Sequence, residues 1–251
     1  MPTRRRVTVR TRRSGRPNHV STTTPISHDE ALRAIYIDFE GRTNEPPVLL
    51  GVLYAEGRKI ADQDRLVLRH DILDPVFEPL HGVVPVRCEQ LLHRYDSDCR
   101  HPWIAIRDVV GRAEKQDRLI VAWSQHELQV VEKLCTAAGL SHTFSERFRD
   151  GKATARRWLR NTAPQLLPTR GGWGGAHKLA HYMDVVGWEV PEEFRPGRTG
   201  ENLRVVRAAL EKGRTWTAMT DRQRRGWWEV LGHNLHDCLG LRAVVLAATE
   251  R

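Results

Sequence analysis

Only four cysteines occur in the 251 residues, at positions 88, 99, 135 and 238, and no two stand in C-x-x-C spacing. A disulfide framework is therefore not expected. Cys88, His93, Cys99 and His101 could ligate zinc, but their spacing matches no common finger, and Cys99-x-His101 is tight for two ligands on one ion. Aromatic residues make up 7%, and no apolar run approaches the roughly 20 residues that span a bilayer. No secretory apolar region is visible either, so a cytoplasmic protein without membrane contact is expected. Acids are missing from residues 1–28, which hold seven arginines (Arg4, Arg5, Arg6, Arg10, Arg12, Arg13 and Arg16). The remainder carries 33 basic against 31 acidic residues, so most of the +9 net charge sits in this Ser/Thr/Pro-containing stretch. Residues 1–30 should form a disordered basic tail ahead of one domain over 31–251. Such a tail could add salt-sensitive affinity for phosphate backbones. Its composition equally fits a transit peptide or a solubilising extension. No internal repeat or clean domain boundary is visible.

The stretch that organises the chain is Ala34-Ile35-Tyr36-Ile37-Asp38-Phe39-Glu40-Gly41. On a strand, Asp38 and Glu40 point to one face while Ile35, Ile37 and Phe39 point to the other. Two neighbouring carboxylates near the end of a buried strand repel and lose hydration, which is costly unless something neutralises them. A divalent cation does so, and Asp-x-Glu suits metal-dependent phosphoryl transfer. An edge strand with a solvated acidic face is the alternative.

Val48–Tyr54 is a continuous apolar run, as in a strand covered on both faces. Glu56-Gly57-Arg58-Lys59 reads as a hairpin turn into a third strand over Ile60–Leu68, which gives an antiparallel meander. From His70 to Pro102, three X-Pro pairs break regular structure and leave the segment unassigned. A helix is expected over Trp103–Ala113, a strand over Leu119–Trp123, and a helix from the N-cap Ser124 through Ala138 to Gly139, with Glu127 in its first turn. Further helices are expected over Ser145–Leu159, Lys178–Val186 and Leu203–Leu210. The Gly-rich stretch Arg170–Gly175, with Trp173, reads as a linker that could stack a base. Asp221 should cap a last helix to about Ala247, with Trp228, Leu231, Leu235, Cys238 and Val245 on its core stripe.

Within that helix His233 and Asp237 are four apart and share a face. Carboxylates from separated elements can converge on two divalent cations, Mg²⁺ or Mn²⁺, about 4 Å apart. His233, with an ordinary pKa near neutrality, could take a proton from attacking water.

These stretches resemble the DEDD 3′–5′ exonucleases of the ribonuclease H-like fold, most closely the bacterial domains found with RecB-type nucleases. The opening motif resembles Ile37-Asp38-Phe39-Glu40-Gly41 with the apolar strand Leu49–Leu53 behind it. The middle motif resembles Ala122-Trp123-Ser124-Gln125-His126-Glu127, and the closing one His233-Asn234-Leu235-His236-Asp237-Cys238. The resemblance implies an α/β fold, with a mixed central sheet, flanking helices and a helix-rich C-terminal half. It implies a nuclease acting on RNA or DNA, metal ligation by Asp38, Glu40, Glu127 and Asp237, and His233 as general base. The four-residue spacing from His233 to Asp237 belongs to the subgroup whose base is Tyr, and His236 is the alternative base. Two further readings stay open. One is a catalytically silent module holding nucleic acid through the tail and Arg156, Arg157 and Arg160. The other is an adaptor with an interface at Trp216, Trp227 and Trp228.

Overall fold

A computed structural model describes residues 24–42, 44–57, 64–86, 88–135, 140–168, 177–195 and 197–250. Strands β1 (Ile35–Glu40), β2 (Leu49–Ala55) and β3 (Leu66–Ile72) form the expected antiparallel meander, with Asp38 opposite Gly51 and Gly51 opposite His70. Every residue of β2 is buried, as its unbroken apolar run requires. The third strand lies later than Ile60–Leu68. Its second half, Arg69-His70-Asp71, breaks the apolar alternation yet is buried, because Arg69 Nε donates to Asp71 Oδ2 at 3.0 Å and the opposite charges neutralise each other. Residues 58–63, part of the expected turn and strand, lie outside the described residues, as do the loop at 170–175, Gly139 and most of the basic tail.

The unassigned segment contains a 3₁₀ turn at Pro75–Leu80, the short helix α2 (Cys88–Leu91) and strand β4 (Arg94–Cys99), parallel to β3. This edge strand carries Arg94, Asp96 and Asp98, so no apolar period announces it, and charge protects its open edge. Helix α3 (Pro102–Gln116) leads to β5 (Ile120–Ala122), parallel to β1, and then to α4 (Gln125–Cys135).

The single helix expected over Ser145–Leu159 is instead α5 (Leu140–Arg147), strand β6 (Phe148–Asp150) and α6 (Gly151–Thr162). Phe148 is fully buried and β6 saturates the free edge of β5, while Asp150 accepts the Ala153 N–H as the N-cap of α6. An N-cap requires extended backbone, which ends one helix before the next begins. The six-stranded mixed sheet runs β4-β3-β2-β1-β5-β6.

The alternation read from β1 holds. Ile35, Ile37 and Phe39 pack into the core under α3, α4 and α5. Tyr36 faces the opposite core, shared by α6, helix α7 (Leu179–Val185) and the long helix α9 (Asp221–Thr249). Helix α1 (His28–Arg33) contacts α9 on that side, and α8 (Thr199–Leu210) packs along the first half of α9. Thr220, not Asp221, caps α9, through a capping box with Gln223. Trp227, not Trp228, fills the core: it is fully buried with its ring 5.4 Å from Phe77, whereas half-buried Trp228 meets Trp216 edge-on. Among the described residues no helix is long and apolar enough to cross a membrane.

Candidate functional site

The C-terminal end of β1 delivers Asp38 and Glu40 to the face of the sheet crossed by α9. Glu40 is buried and Asp38 half-buried. From α9, His233 brings its Nε2 to 3.9 Å from Glu40 Oε1 and 3.7 Å from Asp237 Oδ2. Residues nearly two hundred positions apart thus share one cluster, and the helical spacing of His233 and Asp237 aims both into it.

Hydrogen bonding assigns the histidine tautomer. His233 Nδ1 lies 2.9 Å from the Phe194 carbonyl, which can only accept, so Nδ1 carries the proton. Nε2 therefore points between Glu40 and Asp237, and in the neutral form of the ring it is the nitrogen that can accept a proton. Phe194 is held by close packing: a Cβ on Gly232 would lie 2.3 Å from its ring. His236, the alternative base, turns elsewhere. Its ring stacks on Phe194 at 5.4 Å, its Nδ1 has no hydrogen-bond partner, and burial lowers its pKa to about 4.

A buried polar chain reaches Asp38 from beneath. Asn234 Nδ2 donates to the Asp38 carboxylate at 2.8 Å and to the Asp38 carbonyl at 3.2 Å, so the Asn234 Oδ1 must face away, toward His70 Nε2 at 3.0 Å. That ring nitrogen must then be the donor, and His70 Nδ1 lies 3.2 Å from the Tyr95 hydroxyl. The one hydroxyl hydrogen of Tyr95 goes either to that nitrogen or to the Val83 carbonyl, also 3.2 Å away. His70 and Asn234 are both fully buried, and burial lowers the His70 pKa to about 3, keeping it neutral. Gly51 makes the room: a Cβ there would sit 1.8 Å from Asn234 Oδ1. Neither His70 nor Asn234 was assigned a role from the sequence. The available signals were a glycine interrupting an apolar strand and an asparagine beside the apolar stripe of α9.

Glu127 joins from the first turn of α4. One oxygen accepts from the Ser124 backbone N–H and hydroxyl, both at 3.0 Å, while the Ser124 hydroxyl accepts from the His126 N–H at 3.2 Å. The expected cap is present, and Glu127 doubles as part of it.

Electrostatics tie the four acids together. Burial, then the charges of Asp237 and Glu127, hold the Asp38 carboxyl well above the usual range. Burial, then Asp38 and Asp237, do the same to Glu40. Asp237 is pushed up to about 7 by burial and Glu127. Burial also raises Glu127, against the hydrogen bonds from Ser124. One Glu40 oxygen is buried without any hydrogen-bond partner. By chemistry the quartet is a hard-oxygen donor set short of positive charge, which fits a divalent cation. In the arrangement described, however, no group of three or more His, Cys, Asp or Glu side chains among the described residues forms a ready-made metal site. That applies equally to Cys88, His93, Cys99 and His101, of which His93 turns its Nε2 toward Arg65 at 3.1 Å and Glu56 at 3.3 Å. Compared with protein-family models, curated proteins and solved structures, the chain matches none.

Proposed function

We propose that the protein is a metal-dependent nuclease of the ribonuclease H-like type, which hydrolyses phosphodiester bonds in RNA or DNA from a 3′ end. The observation that carries this reading is that His233 Nε2 lies within 4 Å of both Glu40 and Asp237, while Asp38 and Glu127 stand near enough to raise the carboxyls around them. The mixed sheet with helices on both faces and the helical C-terminal half are consistent with that fold. Asp38, Glu40, Glu127 and Asp237 would hold Mg²⁺ or Mn²⁺, and the bound ions would supply Lewis acidity and offset the charge developing on the phosphoryl group. His233, proton on Nδ1, would accept the proton of the attacking water at Nε2, and Phe194 would keep the ring in that tautomer. The Asn234 amide would hold the Asp38 carboxylate in one orientation.

The test is turnover of labelled single- and double-stranded RNA and DNA with Mg²⁺ or Mn²⁺. Activity is expected on at least one substrate, and Asp38→Asn should lower it by several orders of magnitude. If every substrate stays intact, or if D38N retains wild-type rates, the reading is wrong. A binding module without catalysis is favoured by one observation, the engagement of Glu127 as a helix cap. Metal-independent binding without turnover would support it.

A further inference from the structure

Strands β1, β5 and β6 are mutually parallel, so their C-terminal ends share one edge of the sheet. At that edge β1 presents Asp38 and Glu40, β5 leads into Ser124 and Glu127, and β6 leads through Asp150 into α6. The N–H of Lys152 donates to the Trp123 carbonyl at 2.9 Å, which pins the start of α6 beside the middle motif. Trp123 Nε1 in turn donates to the His177 carbonyl at 3.1 Å, drawing the segment before α7 to the same place.

Lys152, Arg156 and Arg160 recur every fourth residue and line one face of α6 over about 12 Å. Arg156 and Arg160 are exposed and Lys152 is half-buried. None of the three forms an ion pair with a carboxylate among the described residues. The acid that feels Lys152 and Arg156 is Asp150, which is buried and already accepts the Ala153 N–H. His177 and His181 stand beside the stripe: His177 Nδ1 lies 2.7 Å from the Tyr182 hydroxyl, and His181 Nε2 donates to the Leu166 carbonyl at 2.8 Å. After burial, the charges of Arg156, Lys152, His181 and Arg160 all lower the His177 pKa, so these basic groups crowd one another. Crowded cations without carboxylate partners repel, and a polyanion relieves that repulsion.

We propose that the Lys152–Arg156–Arg160 face of α6, flanked by His177 and His181, docks the phosphate backbone of one nucleic-acid strand and leads it to the acidic site. That the polyanion is a nucleic acid rests on the nuclease reading above. A single line of cations matches one backbone. One contact per cation gives up to three phosphate contacts.

The experiment is fluorescence anisotropy of labelled single-stranded oligonucleotides, in RNA and DNA arms, with the full chain in EDTA over a salt series. Cation loss should reduce the salt slope by about 0.7 per phosphate contact. The variant K152Q/R156Q/R160Q should therefore lose about 2 in slope and bind about 100-fold more weakly at 0.1 M salt. The charge-keeping K152R/R156K/R160K should stay near wild type, which also reports on folding. R107Q/R112Q/K115Q removes the same charge from α3, on the other face of the sheet, and should change binding less than about threefold. Equal losses in the two glutamine variants would overturn the proposal, as would an unchanged slope in the first. Competition by polyglutamate as strong as by oligonucleotide would overturn the assignment of the partner as nucleic acid. Binding localised to α6 without turnover in Mg²⁺ or Mn²⁺ would keep this surface and remove the nuclease reading. Turnover unaffected by the α6 variant would do the reverse.

Discussion

Asn234→Leu tests whether the polar chain under Asp38 is one unit. Leucine reproduces the branched shape of asparagine at a fully buried position, so the change removes hydrogen bonding with little change of volume. It deletes the 2.8 Å bond to the Asp38 carboxylate, a kind of bond worth about 1.5–3 kcal/mol. It also leaves the His70 Nε2–H buried without the acceptor now 3.0 Å away, at about 1–3 kcal/mol. A loss of about 3–5 kcal/mol is expected in urea unfolding at pH 7, seen as a lower midpoint at unchanged slope. In His70→Phe the other partner is lost. In the double variant N234L/H70F both partners are apolar, so the orphaned donor disappears and at least about 1 kcal/mol should be recovered over the sum of the single losses. Additivity within about 0.5 kcal/mol would refute the chain as a coupled unit. A cost below about 0.5 kcal/mol for N234L alone would refute the view that its hydrogen bonds matter.

Two further outcomes follow from charge. His70 has an ordinary pKa of 6.5 lowered to about 3 by burial, so between those values the unfolded chain binds a proton that the folded chain does not. Its contribution to stability is complete above about pH 6.5 and is lost as pH falls toward 3, by up to about 1.4 kcal/mol per pH unit. Unfolding measured from pH 7 to 4 should show this slope in the wild type and a shallower one in H70F, and equal slopes would contradict the buried neutral imidazole. For Asp237 the sign reverses. Its carboxyl is raised from 3.8 to about 7, so the folded chain holds a proton that the unfolded chain has released, and stability falls as pH rises from about 4 to 7. In EDTA, Asp237→Asn should therefore stabilise the protein by about 1–3 kcal/mol at pH 8, with little gain at pH 4, while abolishing turnover. Destabilisation at pH 8 would refute the crowding of the acids.

Local periodicity determined much of this protein before any tertiary structure. The two-residue repeat of β1 placed Asp38 and Glu40 on the face opposite Ile35, Ile37 and Phe39. The four-residue spacing on α9 placed His233 with Asp237. The apolar run of β2 required cover on both faces, and Ser124 announced the start of α4. These are properties of a chain segment's own geometry, which neighbours do not alter. Tertiary structure decided what each face meets. Strands β4 and β6 form because an existing strand edge offers hydrogen bonds, and their own residues carry little apolar signal. Arg69, His70 and Asp71 are buried only because Arg69 and Asp71 neutralise each other and His70 finds Asn234 and Tyr95. Trp227 rather than Trp228 enters the core because Phe77 lies on that side of α9. That His233 and not His236 faces Glu40 and Asp237 is a matter of packing around Phe194, and the room for Asn234 rests on the missing side chain of Gly51. Such pairings join residues up to two hundred positions apart, and no periodicity within one segment encodes which distant group will stand opposite.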